Sequence, residues 1–139
     1  MYDESDIDWL DWALRTYVHR VAAGFGLGPG ATYCEVAELA NAYIALATPA
    51  PHRPDREAAL VWDQRYGWAF GIETYSGEDL LILAYHTEKL LPEPDAVVTF
   101  VKSVRAEPEN YPTPADPPRF DTTTDELTRQ LLTYLPVVG

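Results

Sequence analysis

The sequence predicts an α+β fold: a largely antiparallel sheet of about five strands with an N-terminal helix, a helix after the last strand and a short C-terminal helix. Three observations predict it. From Ala59 to Ile72 bulky and small residues alternate with period two on either side of Gly67, the pattern of two strands joined by a tight turn. From residue 6 to residue 24 apolar residues recur at three- and four-residue spacing, the pattern of an amphipathic helix. Near the C-terminus Thr123-Thr124-Asp125-Glu126 places capping residues just ahead of Leu127 and Leu131.

The first helix opens at Ser5-Asp6-Ile7-Asp8, which resembles a capping box with Asp in the last position, and acidic residues there suit the positive end of the helix dipole. Ile7, Leu10, Leu14, Val18 and Val21 share one face, and Gly24, Gly26 and Gly28 end the helix. Trp9, Trp12 and Thr16 point away from that face, flanked by Asp8, Asp11 and Arg15. Two indoles on the side opposite the core require a cover. Either the C-terminal helix or the proline-rich segment folds back over them, or a second molecule does, and tryptophan is a favoured anchor of such interfaces. Trp9, Trp12, Thr16, Asp8 and Asp11 are therefore the candidate partner-binding residues.

Thr32-Tyr33-Cys34-Glu35-Val36 and Ala42-Tyr43-Ile44-Ala45-Leu46 read as short strands with Asn41 near the bend, although the intervening alanines and glutamates also suit one helix. Pro49, Pro51 and Pro54 make Thr48 to Arg56 a loop. In the central hairpin Leu60, Trp62, Trp68, Phe70 and Ile72 form a heavy face, while Ala69 and Gly71 on the lighter face would admit a closely packed helix. Leu80 to Tyr85 is apolar on both faces, which predicts an interior strand, the least tolerant of substitution. Pro94 suits the first position of a helix whose Val97, Phe100, Val101 and Val104 share a face. Prolines between Pro108 and Pro118 predict an extended strap, and Leu127, Leu131, Tyr134 and Leu135 line a terminal helix too short to stand alone. The organisation expected is a core domain over residues 1–107, with residues 108–139 as a strap and helix docking on that same domain.

At 139 residues and 47% hydrophobic, the chain is long enough for one core without metal or disulfide staples. Cys34 is the single cysteine, nothing at the N-terminus has the layout of a signal peptide, and no apolar run approaches the roughly 20 residues that span a bilayer. A cytoplasmic protein that does not engage membranes is expected. The formal charge of −12 opposes direct nucleic-acid binding, since the basic residues are scattered rather than clustered.

The chemistry-bearing residues do not assemble into a motif. Cys34 sits in an apolar strand beside Glu35, where a free cysteine behaves as a small hydrophobe rather than a nucleophile. His19, His52 and His86 lack paired ligand spacing, so no zinc site is expected; His86 and Glu88 can share one side of a strand end, but two groups do not make a site. The pairs Glu78/Asp79 and Glu107/Glu109 flank turns or prolines, which suits solvated carboxylates. Gly24-Phe25-Gly26-Leu27-Gly28 follows a helix rather than a strand and terminates it instead of cradling phosphate. No catalytic residue, cofactor or metal is expected.

The combination of Tyr33-Cys34-Glu35-Val36, Ala42-Tyr43-Ile44-Ala45-Leu46, Leu60-Val61-Trp62 with Gly67-Trp68, Leu83-Ala84-Tyr85, and Leu91-Pro92 ahead of a helix resembles an uncharacterised family of small acidic actinobacterial proteins, a domain of unknown function, over residues 6 to about 105. The resemblance implies a cytosolic bacterial protein and transfers no catalytic or binding residue. The expected function is thus a non-enzymatic protein–protein interaction or regulatory module, self-associating as a homodimer through the first helix. The alternative is an acidic nucleic-acid mimic or immunity-type inhibitor of a basic protein, drawing on Asp3, Glu4, Asp6, Asp8 and Asp11. A small-ligand binder or enzyme using a pocket beside Ala69 and Gly71 ranks below both.

Overall fold

The alternation in the sequence is realised strand by strand. The computed structural model describes residues 4–50, 53–73, 80–111 and 116–134, for residues 4–8, 50, 53 and 54 the backbone alone. Helix α1 (Glu4–Gly24) is followed by β1 (Thr32–Val36), β2 (Ala40–Ala50), β3 (Arg53–Asp63), β4 (Gly67–Glu73) and β5 (Leu80–Tyr85), then by α2 (Pro94–Ala106) and α3 (Thr124–Leu132). All five strands pair antiparallel with their chain neighbours in one sheet ordered β1-β2-β3-β4-β5. Ile44 lies opposite Leu60, Leu60 opposite Phe70 and Trp62 opposite Trp68, so the heavy residues stack in rows on one face. Those side chains join Leu14, Tyr17 and Val18 of α1, Val97 and Val101 of α2, and Leu127 and Leu131 of α3 in a single buried core. All three helices therefore lie on the heavy face of the sheet, the arrangement expected when each element has only one apolar side to bury.

Local chemistry sets the boundaries. Gly67 adopts φ +73° directly after a turn in which the Tyr66 N–H donates to the Asp63 carbonyl at 3.2 Å, and the Asp63 carboxylate accepts from the Arg65 backbone N–H at 2.7 Å. Helix α1 ends as its glycines predict: Gly26 has φ +76° and donates to the Ala23 carbonyl, while Leu27 donates to the Ala22 carbonyl, closing the last turn with two reversed bonds. Thr123 and Glu126 form a reciprocal capping box at the start of α3, and Pro94 takes the first turn of α2. The predicted capping role of Ser5 is not realised, because α1 already includes Glu4.

Three expectations are corrected. Leu80 to Tyr85 is not an interior strand: β5 is an edge, Leu81 is 45% exposed and only Ala84 is buried. An open sheet of consecutive hairpins leaves its first and last strands unpaired on one side, so β2, β3 and β4 are interior and β3 is central. Residues 48–50 and 53–56 are strand rather than loop, and residues 51–52 lie outside the described residues. Strand β2 continues to Ala50 and β3 begins at Arg53, with register shifts around Pro49 absorbing the missing N–H. The small residues of the light face admit no helix either. Tyr43 on β2 reaches over β3 to hydrogen-bond Glu73 on β4, which lays its ring across the small residues between them. Gly71 is small for another reason: a Cβ there would meet the Leu81 carbonyl oxygen at 2.9 Å, where the β4–β5 register shifts.

The irregular segment before α2 ties the layers together. The Leu90 carbonyl accepts from Trp62 Nε1 at 2.8 Å, the Leu91 carbonyl from the Tyr134 hydroxyl at 2.6 Å and the Pro92 carbonyl from the Tyr17 hydroxyl at 2.6 Å. Three successive carbonyls outside any ladder thus find donors from a strand, the C-terminal turn and α1, as buried backbone must.

Candidate interaction site

Successive residues of a helix rotate by 100°, so Trp9, Trp12 and Thr16 rise along one stripe of α1 while Leu10, Leu14, Tyr17 and Val21 face the core. Trp9 and Trp12 are 44% and 47% exposed, and their rings pack on each other with centroids 5.1 Å apart at a 32° tilt. The Thr16 hydroxyl donates to the Trp12 carbonyl at 2.9 Å, which occupies its polar group within the helix. These three predicted residues do form one surface. Asp11 does not join it: its carboxylate accepts from Arg15 Nε at 3.0 Å, and Arg15 Nη2 donates to the Cys34 carbonyl on β1 at 3.2 Å. The pair braces α1 against the free edge of the sheet, and at that exposure contributes about 0–1 kcal/mol. The side chain of Asp8 lies outside the described residues.

The C-terminal helix does not cover the indoles. It docks on another flank of α1, where the Tyr134 ring packs on Tyr17 with centroids 4.9 Å apart. In that position the Tyr134 hydroxyl donates to the Leu91 carbonyl, and Leu127 and Leu131 join the core. Tyr33, 60% exposed on β1, adds a further open aromatic ring that its place in an alternating strand could have revealed.

Cys34 is buried, and burial pushes its thiol up to about 11, only partly opposed by the nearby Arg15 guanidinium. A thiol held protonated is a poor nucleophile. Native protein is expected to resist iodoacetamide while the unfolded chain reacts rapidly; fast labelling of the native state would contradict this reading. His19 stands half-buried on α1 and His86 follows β5, far along the fold, while His52, Glu78 and Asp79 lie outside the described residues.

Sequence reasoning passed over one further feature. Two adjoining hollows of about 550 and 320 Å³ run between the end of β5, the outer side of α2 and the strap, and both are lined by Tyr85, Thr87 and Tyr111. His86 and Glu88, noted in the sequence as two groups on one strand end, line the larger hollow together with Thr99 and Ser103 of α2. Their convergence depends on where α2 returns to the sheet, which no local pattern encodes.

The model of one protein family, a family of unknown function (DUF6292), matches residues 17–103. That stretch takes in all five strands and most of α2, starts later than the resemblance read from residue 6 onward, and leaves Trp9, Trp12 and Thr16 outside it. No curated protein and no solved structure matches the chain.

Proposed function

We propose that the chain, which belongs to a family of unknown function (DUF6292) and takes no activity from that membership, is a non-enzymatic interaction module that pairs with a second copy of itself through α1. The observation that carries the reading is the stacked Trp9–Trp12 pair, left nearly half exposed although a C-terminal helix was at hand to cover it. Bare paired indoles are costly in water and are favoured centres of interfaces. A cytoplasmic setting accords with this role: no helix among the described residues is long and apolar enough to cross a membrane.

A second copy of the chain suits the exposed stripe. Laid antiparallel about a twofold axis level with residue 14, Trp12 meets Thr16 of the other helix. Twofold symmetry makes each pairing twice. It brings the indoles of both copies to the centre.

Sedimentation equilibrium at high micromolar concentration tests the proposal. The expected mass is twice the 15.6 kDa of one chain. W9S/W12S is expected to weaken association more than about 100-fold, on the scale of two lost aromatic anchors, with the circular dichroism of the fold unchanged. Because two copies of charge −12 repel each other, moderate salt should tighten the dimer. A wild-type chain that stays monomeric throughout would remove the proposal.

A further inference from the structure

We propose that the cleft between the outer edge of β5, α2 and the strap is a binding site for a small organic ammonium ion with an apolar or aromatic body. This site is independent of the α1 surface. Its first element is the open edge of the sheet. The His86 N–H donates to the Trp68 carbonyl at 2.9 Å, and Ala69 stands opposite Tyr85 in the register. Backbone polar groups alternate in direction along an antiparallel strand, so those of Tyr85 and Thr87 turn away from β4 toward the cleft that both residues line.

The second element is a surplus of acceptors. Thr99 and Ser103, four residues apart on α2, present hydroxyls to the same hollow. Glu88 lines the larger hollow and Asp116 the smaller, and neither carboxylate has a hydrogen bond or ion pair among the described residues. Among the described residues no lysine or arginine lines either hollow. Such a lining repels phosphates and carboxylates and favours a ligand that brings N–H donors and positive charge; an ammonium group brings three donors. The third element is an aromatic wall, with Phe100 and Tyr111 edge to face at 6.1 Å and His86 edge to face with Phe100 at 5.5 Å. Rings of this kind attract a cation through their faces and an apolar body through area.

His86 supplies an independent sign of incompleteness. Its Nδ1 is buried without a hydrogen-bond partner, a desolvated polar atom that a finished site would not retain. A donor-bearing ligand in the cleft gives the ring a partner when it turns about its Cβ–Cγ bond.

Phenethylamine is the probe, titrated into the uniformly ¹⁵N-labelled full chain and followed by amide NMR, with phenethyl alcohol and phenylpropionate as neutral and anionic counterparts. The expected result is saturable shifts at Tyr85, Thr87, Ser103 and Tyr111 with the amine, binding about fivefold or more weaker with the alcohol, and none with the acid. Glu88 and Asp116 are exposed, so E88Q/D116N keeps the fold and is expected to weaken the amine by about fivefold or more. Absence of saturable shifts, equal binding of amine and alcohol, or an unchanged affinity in E88Q/D116N would each overturn the proposal.

Discussion

Trp68→Ala is expected to destabilise the protein by about 4 kcal/mol, a large part of the roughly 5–15 kcal/mol by which a domain of this size is stable. Trp68 is fully buried opposite Trp62, so alanine leaves a cavity that neighbouring strands cannot close without breaking ladder bonds. It also removes the indole N–H that donates to the Tyr17 hydroxyl at 3.0 Å. Guanidinium denaturation is expected to show an unchanged slope and a much lower midpoint. Trp12→Ala in the isolated chain, on the open stripe of α1, is expected to cost less than about 1 kcal/mol. Comparable losses for the two variants would show that the core is not arranged as described.

Tyr17→Phe is expected to cost about 2–3 kcal/mol, since the hydroxyl both donates to the Pro92 carbonyl and accepts from Trp68 Nε1, and its loss strands two buried polar groups. The same residue governs behaviour in alkali. Burial pushes the Tyr17 phenol far above its ordinary range, an effect that the Trp68 bond opposes and Tyr134 adds to. Above about pH 10 the unfolded chain releases this proton while the native protein keeps it. The unfolded state then binds fewer protons, so stability, complete below about pH 10, falls as the pH rises through the raised native value. Cys34 acts with the same sign in a lower window, between an ordinary thiol near 8.5 and about 11. Denaturant midpoints measured from pH 8 upward are expected to fall in the wild type and to fall less steeply in Tyr17→Phe. A wild-type midpoint independent of pH over that range would contradict the burial of both groups.

The candidate surface was partly legible. Trp9, Trp12 and Thr16 could be placed on one stripe because helical rotation is a property of the backbone alone. Whether they were covered could not be read, since the answer rested on Tyr134 finding the Leu91 carbonyl 43 residues away in the chain. The Asp11–Arg15 pair is visible in the helical spacing, but the Cys34 carbonyl that fixes Arg15 is not. Of the cleft beside β5 only His86 and Glu88 could be grouped from the sequence, because the other lining residues come from a helix and a strap unrelated to them in sequence.

By itself the sequence determined most elements and their inward faces: the heavy face shared by Leu60, Trp62, Trp68 and Phe70, the turn at Gly67, the glycine end of α1, the proline start of α2 and the capping box of α3. These depend on dihedral preferences and on side-chain periods that act within a few residues. The tertiary structure alone decided that the apolar run of β5 would lie at an edge, that the ring of Tyr43 rather than a helix would cross the light face, and which donors would satisfy the carbonyls of Leu90, Leu91 and Pro92. Hydrophobicity states that a residue will be buried, but not by what; the partner is chosen when distant segments compete for the same surface and the same unsatisfied backbone groups.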